Sequence, residues 1–168
     1  GHEWYFPTIN FLKSIFSKSR RKAKYASLVK NSYIPFCCIL LKMTTVEEVG
    51  EFSQDYFMYY RDVDYCQRMQ QNGFELITQT STFIGHEVSR SSGGKSSEIS
   101  SYYNSRNRWL FKYKYSDIVS VKFYPAYLIW FSTRTLDRLL EKNLKSIRAM
   151  LHGLSDGIFN KTGKGRYP

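Results

Sequence analysis

Two stretches in the first part of the chain predict β-strands. Residues 36–41 form a continuous apolar run after a proline, which is typical of a buried strand. Residues 74–81 are rich in β-forming side chains and predict a second strand, and residues 83–86 then bring His86 to a strand end. Residues 89–97 combine serine and glycine without periodicity, so we expect a loop there.

Glycines mark the ends of two predicted helices around these strands. Thr44 and Glu47 have the spacing of a capping box, and Gly50 follows as the end of a short helix. A second helical pattern ends at Gly73, which suits the left-handed position after a helix C-terminus. Two aspartates fall in the first turn of this second helix, where the helix dipole favours negative charge.

The remainder of the chain follows a helical period. Apolar and aromatic residues spaced about 3.6 apart predict a helix from Glu98. The apolar stretch 118–131 is interrupted by Lys122 and Pro125 and is too short to cross a bilayer. A leucine-rich set then predicts one continuous amphipathic helix, which would pack on its own domain or lie on an anionic membrane. This set is Leu136, Leu139, Leu140, Leu144, Ile147 and Leu151.

Composition and charge narrow the class of protein. A chain of 168 residues with 42% hydrophobic residues predicts a packed protein of single-domain size. Three cysteines give no framework of paired bridges, so we expect free thiols and a cytoplasmic location. The net charge of +11 arises from the two ends, since residues 43–100 hold nine acids against four bases. A basic exterior around an acidic centre suits a protein that meets an anionic surface.

The acidic centre holds the candidate chemistry. Asp62 and Asp64 open a helix after a run of aromatic residues, where a fixed carboxylate can accept a proton or bind a metal. An Asp-x-Asp pair at a helix start is also a common capping arrangement. His86 alone is more often structural than a ligand, and three cysteines with one histidine do not make a zinc site.

Five motifs in order resemble the C-terminal half of family-2 glycosyltransferases of the GT-A type, including rhamnosyltransferase-like members. The resemblance covers about 35–164. The motifs are Tyr-Phe-Met-Tyr-Tyr-Arg-Asp-Val-Asp-Tyr-Cys-Gln-Arg at 56–68, Gly-Phe at 73–74, His86 with Ser89, Tyr-Tyr-x-x-Arg-Asn at 102–107, and the pair Gly-Leu-Ser-Asp-Gly at 153–157 with Thr-Gly-Lys at 162–164.

The resemblance implies a fold class and a division of the chain. We expect an α/β protein with a partial GT-A-like mixed sheet, followed by a helical C-terminal region. Residues 1–34 would be a basic N-terminal segment, 35–97 the acceptor and catalytic-base part, and 98–168 the helical region. The nucleotide-binding half would lie upstream of Gly1, so this chain alone would be inactive.

The resemblance also implies roles for individual residues in an inverting transfer from a nucleotide-sugar to a saccharide or lipid-linked saccharide, as in surface polysaccharide synthesis. Asp62 would be the catalytic base, and His86 would help to hold a divalent metal, Mn or Mg, whose other ligands lie mostly upstream. Tyr59, Tyr60 and Asp64 would bind the acceptor. The residues that would contact the donor diphosphate are Arg90, Lys95, Arg106 and Asn107. Arg90 and Lys95 lie on the predicted loop, which is equally compatible with a plain linker and with a lid that orders on binding.

One departure and one competing class accompany this interpretation. The family has a glutamate where this chain has Arg61, and a cation beside Asp62 would weaken that residue as a base. A basic module that binds nucleic acid or a membrane surface without catalysis is the alternative, and a degenerate transferase kept as a binding subunit is a third. Because no nucleic-acid motif is present, we do not expect nucleic-acid binding. A cytoplasmic protein, with or without peripheral contact with the inner face of a membrane, is compatible with the charge.

Overall fold

The computed structural model describes residues 28–81, 84–85 and 96–167 of the chain. These residues form a mixed α/β arrangement that is mostly helical, as predicted in its coarse class. In chain order the elements are β1 (Leu28–Asn31), α1 (Met43–Val49), α2 (Arg61–Gln71), β2 (Leu76–Gln79), α3 (Glu98–Lys114), α4 (Phe123–Leu140) and α5 (Leu144–Ile158).

The two strands form one antiparallel sheet, in which Leu28 is opposite Gln79 and Asn31 is opposite Leu76. The strand predicted at 74–81 is confirmed in a shorter form as β2. The strand predicted at 36–41 is wrong, because these residues form a turn and an irregular segment. Leu40 in that run is 97% exposed, so the apolar run does not enter a sheet.

Helices α1 and α2 enclose a small apolar core with the sheet. Helix α2 and its end at Gly73, which has a φ of 81°, are confirmed. The capping box is wrong, because α1 begins after Lys42 and has no side-chain cap, whereas Gly50 does end it with a φ of 79°. The buried members of this core are Val49, Tyr65, Cys66, Met69 and Leu76.

Helices α3 and α5 pack against each other more closely than any other pair. A Cβ atom at Gly153 would lie 2.3 Å from the carbonyl oxygen of Tyr102, and one at Gly157 would lie 2.9 Å from that of Arg106. Only glycine fits such an approach of two backbones. The helix predicted from Glu98 is confirmed as α3, and its first turn is capped by Ser97.

The leucine-rich helix predicted across 136–151 is two helices. The chain turns between Leu140 and Leu144, where Lys142 has a φ of 54°, and the Asn143 side chain accepts a 3.1 Å hydrogen bond from the Ser146 amide to begin α5. Pro125 lies in the first turn of α4, where proline is tolerated. Of the two alternatives for this set, packing on its own domain does not fit five of the six residues, which are exposed, namely Leu136, Leu139, Leu140, Leu144 and Leu151.

The end of α5 and the following tail are held by Asp156. This buried carboxylate accepts hydrogen bonds from Tyr102 (2.8 Å), Lys161 (2.9 Å) and Arg166 (2.7 Å). Further along the tail, Gly163 forms an isolated bridge with Tyr56. The tail is thereby tied to α3 and to the segment before α2.

No helix in the described ranges is long and apolar enough to traverse a bilayer. The residues described also contain two strands rather than a larger mixed sheet. The GT-A-like sheet and the boundaries at 34/35 and 97/98 therefore stay predictions.

Candidate functional site

The site begins with an unusual turn that precedes α2. Tyr59 and Tyr60 have φ values of 61° and 66°, which places two aromatic residues in the left-handed region. Each such residue costs on the order of 1–2 kcal/mol, so the surrounding structure must hold the turn in place. The Asn107 side chain does so, by donating to the carbonyl oxygens of Met58 (2.7 Å) and Tyr59 (3.3 Å).

The side chains of Tyr59 and Tyr60 are held in place, as is the backbone of the turn. The Tyr60 ring stacks on Tyr56 at 6.3 Å and contacts Phe111 at 5.9 Å, and its hydroxyl accepts a 2.9 Å hydrogen bond from Arg108. Burial raises the pKa of the Tyr60 phenol, and Arg108 partly opposes that shift. Tyr59 packs against the cluster between α3 and α5. Both predicted acceptor-lining tyrosines are therefore half-buried and positioned by the helical region.

Asp62 follows this turn directly, in the first turn of α2. It is partly exposed, and its Oδ2 accepts a hydrogen bond from the Tyr33 hydroxyl. Its Oδ1 accepts a 2.9 Å bond from the Val63 amide. Within the described ranges Asp62 makes no salt bridge, so its carboxylate remains available to a further donor.

Tyr33 was missed in the sequence because it lies 29 residues from Asp62 in a segment without a motif. Burial and the neighbouring Asp62 carboxylate both raise the pKa of the Tyr33 phenol. Tyr33 therefore stays protonated at neutral pH and acts as a hydrogen-bond donor. Such a donor fixes the orientation of the carboxylate without neutralising it.

Arg61 does not neutralise Asp62 through a salt bridge. Its Nε donates to the carbonyl oxygen of Tyr56, which turns the guanidinium back toward the preceding segment. The expectation that Arg61 weakens Asp62 as a base is therefore not supported by a direct contact between the two side chains. A groove of about 310 Å³ opens beside Arg61, and its other lining residues come from α1, the segment after α1 and Tyr65, so it does not include Asp62.

Asp64 has entirely different surroundings from Asp62. It is fully buried and accepts hydrogen bonds from Arg68 (3.0 Å) and Tyr115 (2.8 Å), with Lys114 at 2.8 Å. Burial and the Asp64 carboxylate raise the pKa of Tyr115, so this phenol also remains a donor. The carboxylate is turned into the protein, which favours a structural role over contact with an acceptor.

Arg106 and Asn107 are likewise fully buried. The Arg106 guanidinium donates to Gly163 (2.8 Å) and Asn107 (3.0 Å) and lies 4.8 Å from the ring centre of Tyr103. Its Nη1 has no hydrogen-bond partner among the described residues. These contacts join the tail, α3 and the turn before Asp62, so both residues position the candidate base.

The remaining predicted residues, His86, Arg90 and Lys95, lie outside the described residues, as does most of the predicted loop at 89–97. No group of three His, Cys, Asp or Glu side chains in the described ranges could hold a metal ion. The described part of the chain therefore does not supply a metal site, and the divalent cation stays a prediction.

Comparison with known proteins gives one informative relative. The chain is 25% identical, over 129 residues, to the low-salt glycan biosynthesis hexosyltransferase Agl10 of Haloferax volcanii. The match covers 76% of this chain and 42% of that relative, so the chain spans about two fifths of the relative's length. No family model matches the chain. No solved structure matches it either.

This similarity supports a relationship with glycosyltransferases, in agreement with the motifs. The assignment to family 2 and to the GT-A type stays a prediction.

Proposed function

We propose that this chain is the acceptor-side and catalytic-base part of an inverting glycosyltransferase. It would move a hexose from a nucleotide-sugar to a hydroxyl of a glycan or lipid-linked saccharide. The similarity to a hexosyltransferase supports the general class. The observation that carries the assignment is the partly exposed Asp62 carboxylate, which has a phenol partner and no cation within the described ranges.

Asp62 would act as the general base. The acceptor hydroxyl oxygen attacks the anomeric carbon while its proton passes to the Asp62 carboxylate. The bond from that carbon to the diphosphate oxygen breaks, and the nucleoside diphosphate leaves with the bonding electron pair. Attack from the face opposite the leaving group inverts the anomeric configuration.

The other residues have supporting roles in this proposal. Tyr33 orients Asp62, while Asn107 and Arg106 hold the turn and the tail. Tyr59 would border the acceptor sugar. We keep Arg90, Lys95 and His86 as proposed donor-side groups without assigning them a step, and we expect most ligands of any divalent cation to come from outside this chain.

The test replaces the base in a protein that contains the whole transferase. We expect Asp62→Asn to lower kcat by roughly 10²–10⁴-fold, as for loss of a general base. Transfer would be measured with a panel of UDP-, GDP- and dTDP-hexoses and a lipid-linked saccharide extract. Nucleotide binding and the unfolding midpoint should change little.

Asp117→Asn is the matched control, since Asp117 is an exposed aspartate elsewhere on the chain. It should leave kcat within about twofold. Undiminished transfer by the Asp62→Asn protein would remove Asp62 from the mechanism.

A second candidate is a basic module that binds nucleic acid without catalysis. It is favoured by a groove of about 400 Å³ whose lining holds three cations and one acid, together with His152 and Tyr167. The charged members are Lys145, Arg148, Arg166 and Glu98. Salt-sensitive binding of a random RNA or DNA oligonucleotide near 0.15 M salt would support this function. Loss of that binding in Lys145→Glu/Arg148→Glu would locate it in the groove.

A further inference from the structure

Helix α4 exposes an apolar side that points away from the protein. Its buried residues include Phe123, Tyr127 and Trp130, which define the inward direction. At about 100° per residue, the centre of the opposite side lies about 180° away. We call that side the outer face of α4. It comprises five residues that are between 51% and 76% exposed, namely Leu128, Ile129, Leu136, Leu139 and Leu140.

The outer face contains no charged residue. The same arc of the helix holds Ser132 and Pro125, whereas the charged residues Arg134, Asp137 and Arg138 lie on the inward half of the helix. A surface helix of a globular protein normally has the reverse arrangement, with charged residues outward. This face is therefore built to meet an apolar medium or partner.

Apolar side chains are exposed beyond the end of α4 as well. Leu144 and Leu151 on the exposed side of α5 are 68% and 52% exposed. Apart from Leu128, the exposed leucines on the two helices belong to the set from which the sequence predicted an amphipathic helix. No residue in the described part of the chain buries these leucines. Any burial must therefore come from a partner outside the described part.

Exposed cations lie near both ends of α4 in the chain and on α5. Lys122 precedes α4, Lys142 lies in the turn after it, and Lys145 and Arg148 lie on α5, all of them exposed. None of the four makes a salt bridge to a residue that the structure describes. Residues 101–168 hold thirteen bases and four acids, so the charge of this region matches an anionic partner.

We propose that α4 lies flat on an anionic lipid surface, with its outer face in the boundary between headgroups and acyl chains. Lys122, Lys142 and Lys145 would meet the lipid phosphates. Interfacial helices combine an exposed apolar arc with cations that meet the lipid headgroups. The 18 residues of α4 would extend about 27 Å along the surface. This inference stands independently of the proposed sugar transfer.

The experiment measures binding of the full chain to vesicles by co-sedimentation. Phosphatidylcholine vesicles with about 30% phosphatidylglycerol should bind the chain, whereas pure phosphatidylcholine should bind it at least about tenfold more weakly. We expect Leu136→Ser/Leu140→Ser to weaken binding by at least about tenfold, because each serine removes apolar area from the boundary. Circular dichroism would confirm that the variant is folded.

Two control variants, Leu40→Ser and Lys42→Glu, test whether the lipid-binding surface is at α4. Leu40→Ser changes a leucine that is 97% exposed elsewhere and should leave binding within about twofold. Lys142→Glu/Lys145→Glu should weaken binding to anionic vesicles by at least about tenfold, whereas Lys42→Glu should have a small effect.

Three results would overturn the proposal. One is equal binding to neutral and anionic vesicles. Another is a loss with Leu40→Ser as large as that with the α4 variant. A third is a concentration-dependent dimer in sedimentation velocity, abolished by Leu136→Ser/Leu140→Ser, without binding to either vesicle. That result would assign the outer face to a second copy of the chain.

Discussion

The start of α2 and the contact between α3 and α5 are each organised around an aspartate, and the two differ in how completely that residue is paired. Asp156 is buried and bound by a phenol and two cations. Asp62 is partly exposed and bound by one phenol. Asp64, only two residues from Asp62, resembles Asp156 instead. The number of cationic and phenolic partners of each carboxylate therefore distinguishes the structural acids Asp64 and Asp156 from the more accessible Asp62. Position in the sequence does not distinguish them.

The largest expected change in the free energy of unfolding comes from removing Asp64, the buried one of the two aspartates in the first turn of α2. We expect Asp64→Ala to lower the free energy of unfolding by about 4 kcal/mol, because this fully buried carboxylate is the shared partner of Arg68, Lys114 and Tyr115. Asp62→Ala should cost about 1 kcal/mol or less, since it removes a half-exposed acid at a helix start. Urea denaturation at pH 7 measures both. Equal losses would refute the distinction between the two acids.

A slightly smaller effect tests the close contact between α3 and α5. Gly153→Ala would place a Cβ atom 2.3 Å from the Tyr102 carbonyl oxygen, so the helices must separate. We expect a loss of about 3 kcal/mol in the free energy of unfolding. Gly85→Ala is the control, because a Cβ atom there meets nothing within 4 Å. If thermal denaturation shows the same small change for both variants, the helices are not in such close contact.

The third test concerns pH. Burial raises the pKa of Asp156, but hydrogen bonds from Lys161, Tyr102 and Arg166 outweigh burial and hold the pKa below its ordinary value of 3.8. Because the folded pKa is the lower one, this stabilisation is present above about pH 4 and is lost as the pH falls further.

We expect Asp156→Asn to cost about 2 kcal/mol at pH 7 and to flatten the acid-side decline of stability. Asp137→Asn, at a half-exposed ion pair with Arg134, should cost less than about 0.5 kcal/mol. Denaturation midpoints collected from pH 7 to acid provide the comparison. An acid-side decline as steep in Asp156→Asn as in the parent chain would contradict the assignment.

The mildest test leaves the fold intact and measures how readily α2 opens. Burial raises the pKa of the Cys66 thiol on α2 to about 11, with the backbone of Ile34 opposing the shift. Cys37 and Cys38 are exposed. We expect iodoacetamide at pH 8 to label the exposed pair at least about 100-fold faster than Cys66. Mass spectrometry of peptides would show this, and rapid labelling of Cys66 would mean that α2 opens readily.

The elements predicted correctly are those with local signals. Helix α2 with Gly73, strand β2 and helix α3 each carry their period and their end signals within the element itself. The segment 36–41 failed because an apolar run does not specify its partners, and β1 instead pairs with β2. The break after Leu140 was missed, although Asn143 with Ser146 has the spacing of a helix cap.

The candidate site was predictable only in part. The helical pattern ending at Gly73 placed Asp62 at a helix start, and the structure shows it partly exposed there. The burial of Asp64, Arg106 and Asn107 depends on contacts with residues about fifty positions away, which no local pattern encodes. Tyr33 was missed for the same reason.

The left-handed turn at Tyr59 and Tyr60 has a consequence for how this chain could diversify. Glycine at either position would relieve backbone strain but would also remove a ring that packs against neighbouring side chains. The two effects on stability would oppose each other. Asparagine tolerates the same backbone angles yet fills less space. A chain that begins α2 in this way has few single-substitution alternatives at the turn, and compensating changes in the facing helix α3 would have to accompany any of them.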